Sequence, residues 1–307
     1  MHPLVSIIIP SYNQGKFVRE TIQSCLDQDY RPIEIIVQDG ASNDETISVL
    51  KSFNVPELSW RSEPDKGVVH AVNKGIGRAR GEILSIQSSD DIFLPGAISA
   101  AVATLSSYPC AGLVYGDVEH LDANSKVTGR DVQGEFNLAD YLGRFMYIPQ
   151  PGTCFTRPAL EYAGEWREDY SYVADAEFWM RIAIHFPVCK INRIVAGYRY
   201  HPEQRDTQRD RIARDWEGAV KELLNAGRLN ARQRRYARMG IHLAKYRYAP
   251  ELAWVYRTRE LYAALLVNPP AIFDRRFPKR DLLPGRRPIW AALSRVKRVF
   301  GLRPRGQ

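Results

Sequence analysis

The sequence predicts an α/β protein built on an open, mostly parallel sheet flanked by helices, followed by a mainly helical, arginine-rich extension. Three observations carry this expectation. Short β-branched runs alternate with helical patterns over the first 118 residues. Those runs are apolar at successive positions, as strands covered on both faces are. After about residue 205 strand signals give way to helix formers and arginine.

Leu4 to Ile9 forms the first run, closed by Pro10, and Ile33 to Val37 the second, closed by Gln38, Asp39 and Gly40. Between them Phe17, Val18, Thr21, Ile22, Cys25 and Leu26 recur at three- and four-residue spacing. A helix with that spacing carries one apolar stripe and leaves Arg19, Glu20, Gln23 and Asp27 off it. The result is a strand, helix, strand unit. The pattern then repeats. Ser42 and Glu45 have capping-box spacing ahead of a helix over 47–53, a short strand is expected near 58–61, and a helix over about 68–80. A strand over 83–86 ends at Ser88, Ser89, Asp90 and Asp91. Pro95 opens a helix running to about Tyr108, Leu113 to Val118 reads as a strand, and Lys126 to Arg130 as its neighbour.

A chain of 307 residues, 45% hydrophobic and 25% charged, is a globular mixture and excludes disorder and fibrous repeats. No run approaches the ~20 consecutive apolar residues needed to span a bilayer. The first residues carry no basic region and no small-residue cleavage site, so a cytoplasmic location is expected. Cys25, Cys110, Cys154 and Cys189 are scattered without a CxxC pair, which points to reduced thiols rather than a disulfide framework or a zinc site. The net charge of +8 is unevenly placed: residues 201–307 carry +15 and residues 1–200 carry −7. A division into 1–205 and 206–307 follows, with helices expected over 212–226 and 231–246. The last segment, 286–307, sets Ile289, Trp290, Leu293, Val296, Val299 and Phe300 among Arg295, Lys297 and Arg298, the pattern of a basic amphipathic helix. Its coherent apolar side suits an anionic membrane surface better than nucleic acid; packing of that side on the rest of the protein is the alternative.

Ligands of open α/β sheets bind beyond the carboxyl ends of the strands. Acidic and polar residues sit there: Pro10, Ser11, Tyr12 and Asn13 after the first strand, Asp39 after the second, and Asp90 with Asp91 after the fourth. Adjacent carboxylates repel one another, and a divalent cation relieves the repulsion. Mg²⁺ or Mn²⁺ accepts few protein oxygens when a phosphate completes its shell, so a metal-bridged diphosphate is expected. The plainer alternative is that Asp90 and Asp91 cap the helix beginning near Pro95.

Segments 5–13 (VSIIIPSYN), 37–46 (VQDGASNDET), 63–67 (EPDKG) with 71–75 (AVNKG), and 89–91 (SDD) resemble, in this order, the motifs of family 2 glycosyltransferases with the GT-A fold. The resemblance spans roughly residues 4–205. It implies an inverting transferase that uses a nucleotide-diphosphate sugar and a divalent metal, Mn or Mg. It places Asp39 on the nucleobase with Pro10, Ser11 and Tyr12 against it, Lys66, Gly67 and Asn73 near the nucleotide, Asp90 on the ribose, and Asp91 on the metal. Residues 151–155 (PGTCF), Gly164 and 174–179 (ADAEFW) resemble the acceptor-side motif, which implies Asp175 as catalytic base with Glu177 as runner-up. Ala174 departs from the pattern, since many relatives carry a second acidic residue there. His201, within 198–202 (YRYHP), resembles a late histidine of the metal shell. The implied acceptor is a glycan or glycolipid, a lipid-linked or surface-polysaccharide precursor at the inner face of the plasma membrane. Two other classes compete. A sugar nucleotidyltransferase would carry a Gly-rich, basic phosphate loop after the first strand, where residues 10–15 hold one Gly and only Lys16 follows. A non-catalytic membrane or nucleic-acid binding module would rest on the basic extension alone.

Overall fold

The computed structural model of the chain describes residues 2–282 apart from Glu203, Arg205, Asp206, Thr207 and Glu251. The expected amphipathic helix over 286–307 lies outside the described residues. Nine strands form one sheet: β1 (Val5–Ser11), β2 (Ile33–Asp39), β3 (Leu58–Ser62), β4 (Ile83–Ile86), β5 (Ile92–Phe93), β6 (Leu113–Leu121), β7 (Val127–Asp131), β8 (Cys154–Thr156) and β9 (Val188–Arg199). Ten helices accompany them among the described residues: α1 (Val18–Leu26), α2 (Thr46–Lys51), α3 (Val68–Arg78), α4 (Ala97–Ser107), α5 (Leu138–Leu142), α6 (Arg157–Ala163), α7 (Ala174–Ala183), α8 (Arg209–Asn225), α9 (Ala231–Tyr248) and α10 (Trp254–Val267).

All seven residues of β1 are buried, and their side chains divide between two cores. Ile8 joins Leu84 and Ile86 of β4 against α3, whereas Val5, Ile7 and Ile9 join Val18 and Ile22 of α1 and Ile98 of α4. A strand that serves both faces is mostly apolar, which is why these runs carry no alternation; the buried Ser6 hydroxyl is matched by Glu34 of β2 at 2.6 Å. Each fully buried Val or Ile contributes about 1.5–3 kcal/mol, so the two cores hold β1 in the centre of the sheet.

Strands β3, β2, β1 and β4 run parallel, and β6 and β9, parallel to each other, point the same way, because β8 is antiparallel to both β4 and β6. Among the described residues β5, β7 and β8 alone run against the other six, so the sheet is mostly parallel as the sequence predicts. Of these three, β7 is the expected neighbour of β6, whereas the two-residue β5 and the three-residue β8 are too short to show any period. The expected capping box is absent. The N-cap of α2 is Glu45 without a side-chain cap; the Ser42 hydroxyl instead donates to Asp39 and accepts the Asn13 N–H.

The change of texture near residue 205 is a change of composition, and packing continues across it. Ile212, Trp216 and Val220 of α8 share one core with Phe178 and Trp179 of α7. A smaller core joins α9 and α10 through Met239, Leu243, Leu261 and Phe277. No helix among the described residues is long and apolar enough to cross a membrane.

Gly240 lies inside α9, where α9 crosses α5, and a methyl group there would overlap the Leu142 carbonyl. In an exposed helix Gly→Ala gains about 1 kcal/mol. Overpacking against a backbone atom costs about 1–3 kcal/mol and reverses the sign. Gly240→Ala is therefore expected to lower the denaturation midpoint in urea, while Gly77→Ala, whose added carbon would meet nothing within 4 Å, is neutral or stabilising.

Candidate active site

A cavity of about 790 Å³ opens at the carboxyl ends of the parallel strands. Ser11 and Tyr12 enter it from β1, Gly40 from β2, Asp65 and Gly67 from the turn between β3 and α3, and Ser88 to Asp91 from β4. Trp166, Tyr172 and Asp175 reach it from the α6–α7 segment, and Tyr198, His201 and Gln204 from the end of β9. The crossing order of the sheet gathers these segments. Strands β1 and β4 are neighbours, and β9 returns beside β6.

The first wall is two loops tied together. Ser42 Oγ accepts the Asn13 N–H at 2.8 Å, Thr46 Oγ1 the Gln14 N–H at 2.9 Å, and Asp44 Oδ2 the Gly15 N–H at 3.0 Å. Burial pushes the Asp44 carboxyl up, but the hydrogen bonds from Thr46 and Gly15 outweigh it and hold the group below its ordinary range. Asp39 is fully buried behind this wall rather than lining it. Its carboxylate accepts the Ser42 N–H at 2.9 Å, the Ser42 hydroxyl, and the Ser62 hydroxyl at 2.6 Å. Its ladder partner Ser11 and its neighbour Gly40 do line the cavity. Ser11 Oγ is buried with no hydrogen-bond partner among the described residues, as is the Gln14 side-chain oxygen. Tyr12, 59% exposed, stands at the rim.

The second wall is the Ser88–Asp91 turn. Thr21 Oγ1 of α1 donates to the carbonyls of Ser89 and Asp91 at 3.0 and 2.8 Å. Arg199, at the end of β9 and fully buried, donates its backbone N–H to Asp91 Oδ1 at 2.8 Å and its Nε to the Asp90 carbonyl at 2.6 Å. Its other nitrogens reach the Asp122 carbonyl, Ser125 Oγ and Glu20 Oε2. His201 Nε2 meets Asp90 Oδ2 at 2.9 Å, and its ring packs on Phe17. Arg199, Thr21 and Gln150, whose amide holds Ser88 Oγ at 2.8 Å, escaped the sequence reading. Arg199 stands two residues before His201, but a buried arginine carries no sequence signature of its own.

On the far side, Asp175 sits in the first turn of α7 and lines the cavity. The nearby Tyr141 hydroxyl is held well above its ordinary range, mainly by burial and further by the negative charge of Asp175. Glu177 does not line the cavity. It is buried, and both its oxygens accept from Arg181, each at 2.8 Å. Asn73 is engaged likewise. Its amide donates to the Trp166 carbonyl at 2.8 Å and accepts the Trp166 N–H at 3.0 Å, so it braces a lining residue and does not line the cavity itself. Lys66 is exposed beside the cavity, and its backbone N–H donates to His70 Nδ1.

The donor set at Asp90, Asp91 and His201 sets the terms for a metal. Among the described residues no group of three or more His, Cys, Asp or Glu side chains is arranged to hold an ion alone. His201 is engaged with Asp90, and Asp91 has one oxygen fixed by the Arg199 N–H. An all-protein cage does not fit. A cation sharing one or two carboxylates with phosphate oxygens does.

Residues 6–154 match the family described as Glycosyl transferase family 2. An uncharacterized glycosyltransferase of Mycobacterium tuberculosis is 31% identical over 185 residues, 59% of this chain and 70% of that protein. The chondroitin synthase of Escherichia coli is 25% identical over 203 residues, covering 66% of this chain but 29% of that protein. Among solved structures, S. aureus TarS 1-349 in complex with UDP-GlcNAc has a TM-score of 0.65 at 15% identity, covering 92% of this chain and 84% of that one. The mannosyltransferase PcManGT from Pyrobaculum calidifontis, in complex with GDP-Man and Mn²⁺, has a TM-score of 0.62 at 19% identity, covering 99% and 82%. Both have the GT-A fold expected from the motifs.

Removing the Arg199 guanidinium strips the Asp90 and Asp122 carbonyls of their buried donor. Arg199→Leu is expected to destabilise by about 3–5 kcal/mol. Its ion pair with the 43%-exposed Glu20 is screened by solvent, so Glu20→Gln is expected to cost under about 1 kcal/mol. Urea denaturation of the two variants checks the ranking.

Proposed function

The chain belongs to the family 2 glycosyltransferases, and on that premise we propose that it moves a sugar from a nucleotide-diphosphate donor to a hydroxyl of a glycan or glycolipid. The observation that carries this reading is that Asp91 and Asp175, from opposite walls, line the same cavity. This reading gives Asp91 to the leaving group and Asp175 to the entering alcohol. The neighbours' complexes with UDP-GlcNAc and GDP-Man support the donor class. Relatives that include a chondroitin synthase support an acceptor in lipid-linked or surface polysaccharide.

Tyr12 offers an exposed ring to stack on the nucleobase, and the buried Ser11 hydroxyl and Gln14 oxygen offer hydrogen bonds to it. Asp39 acts through others: by fixing Ser42 and Ser62 it sets the shape of the base-binding loop. Asp90 takes the ribose, with His201 orienting its carboxylate. Asp91 would hold a divalent cation, Mn²⁺ or Mg²⁺, which when bound supplies positive charge to the departing diphosphate. The Arg199 N–H presets the Asp91 carboxylate, so little reorganisation is needed at the moment of reaction. Asp175 accepts the acceptor hydroxyl proton as the oxygen attacks the anomeric carbon, and the bond to the diphosphate breaks on the opposite side. A single displacement inverts the anomeric centre and needs no nucleophile from the protein. Trp166, braced by Asn73, and Tyr172 supply the apolar surface for the acceptor ring.

A thermal-shift panel of UDP-, GDP- and dTDP-sugars, with and without Mn²⁺, is expected to reveal one nucleotide class that raises the melting temperature by several degrees, and more with Mn²⁺. Asp91→Ala is expected to lose the Mn²⁺-dependent part of that shift and all turnover. Asp175→Asn is expected to keep the donor-induced shift while transfer falls by about 10²–10⁴-fold. Near-normal transfer by Asp175→Asn would remove it as the base.

A further inference from the structure

Helix α10 has two unlike faces. Leu261 and Ala264 are buried against α9, as is Glu260, whose carboxylate meets His242 Nδ1 at 2.7 Å and an Arg259 nitrogen at 3.1 Å. Val255, Arg259, Tyr262 and Leu266 follow one another at four, three and four residues, so they share the opposite face, and all are exposed. Leu252 precedes the helix and Phe273 ends the 3₁₀ turn that follows it. Leu252, Leu266 and Phe273 are 80%, 84% and 85% exposed, the most exposed large apolar side chains among the described residues. Trp254 and Tyr256 flank the stripe and are exposed as well. Exposed large apolar side chains concentrated on and beside one helix mark a surface that meets something other than water.

Charge decides what that is. Glu260 is the only carboxylate of α10 and it is buried and paired, so the exposed face of the helix carries Arg259 and no negative group. The carboxylate next to Phe273, Asp274, is paired with Arg276. Arg275, Lys279 and Arg280 are exposed beyond Phe273. A second copy of the chain fits poorly. Arg259 is the middle of the stripe, and a two-fold axis there would set guanidinium against guanidinium. Tryptophan and tyrosine beside leucine and phenylalanine, ringed by arginine, are the composition of a helix lying in the boundary of an anionic bilayer.

We propose that the exposed face of α10, with Leu252 before it and Phe273 after it, is a membrane-docking surface that seats the enzyme on anionic phospholipid. Leu266 and Phe273 enter the acyl boundary, Trp254 and Tyr262 sit at headgroup level, and Arg259 with Arg275, Lys279 and Arg280 faces the lipid phosphates. The surface is separate from the cavity, so its use does not depend on which donor or base operates there.

The test is co-sedimentation of the full chain with vesicles of phosphatidylcholine alone and of phosphatidylcholine with about 30% phosphatidylglycerol. The chain is expected to sediment with the anionic vesicles, weakly with the neutral ones, and less as salt is raised. The double variant Leu266→Glu/Phe273→Glu is expected to partition at least about tenfold less, and Leu266→Met/Phe273→Leu within about twofold of the parent. Because both positions are exposed, melting temperature and the donor-induced thermal shift stay as in the parent. Lack of sedimentation by the parent overturns the proposal, as does equal sedimentation by the double glutamate variant. So does a parent dimer in sedimentation velocity that the glutamates dissociate without any vesicle binding. A lost donor shift in the parent itself would instead count against the glycosyltransfer reading and leave the docking result standing.

Discussion

The buried guanidinium of Arg199 is the constraint on which the cavity depends. A cation with no exposure to water has to be matched by acceptors on every side, because an unmatched one costs several kcal/mol. Here the acceptors are the Asp90 and Asp122 carbonyls, Ser125 and Glu20, and the Phe17 ring lies 4.9 Å beneath. Satisfying the arginine therefore pins together four separate parts of the chain: the turn after β4, the loop between β6 and β7, helix α1 and the end of β9. Phe17 also packs on His201, so the residue that orients Asp90 is seated by the same ring. The frame around Arg199 holds the Asp90 and Asp91 carboxylates at the edge of the cavity, Asp90 against His201 and Asp91 against the Arg199 N–H.

The opposite wall is held by a second device. Helix α3 starts at the cavity, with Gly67 and Val68 in its lining, and one turn later Asn73 grips both backbone polar groups of Trp166. An asparagine paired this way acts as a short piece of strand, fixing the α6–α7 segment to the donor half. Arg181 completes the support. It holds Glu177 on α7 while donating to the carbonyls of Ala163 and Glu165. The first turn of α7, and with it Asp175, is set by these contacts rather than by a cap at Val173.

How much of this could be read from the sequence follows from where the signal lies. The buried strands β1, β2 and β4 announce themselves because burial on both faces makes most of their positions apolar without alternation, and the buried polar Ser6 and Glu34 are hydrogen-bonded to each other. Strands β5 and β8 do not, because two or three residues have no period, and their antiparallel pairing comes from tertiary contacts alone. Asp39, Glu177 and Asn73 sit in stretches whose spacing resembles a family motif, but the sequence cannot distinguish a side chain that faces a ligand from one that braces its neighbour. Asp39 is consumed by Ser42 and Ser62, Glu177 by Arg181 and Asn73 by Trp166. Arg199 was missed for the complementary reason: arginine at a strand end reads as solvated until the fold closes over it. Helix α10 was missed because its apolar positions are divided between a buried face and an exposed one, which blurs a single amphipathic stripe.

That division in α10 bears on how the molecule is organised. In a free soluble helix the outer face is stabilised by water, and exposed Val255 and Leu266 gain nothing there. Apolar residues on both faces of α10 fit two different apolar partners. The first is α9, through Leu261 and Ala264. The basic side chains around the second face exclude a partner of like charge and select an anionic one. Under the docking proposal, the −7 of residues 1–200 and the +15 of residues 201–307 fall on the parts that would meet a cation-borne nucleotide and an anionic surface respectively.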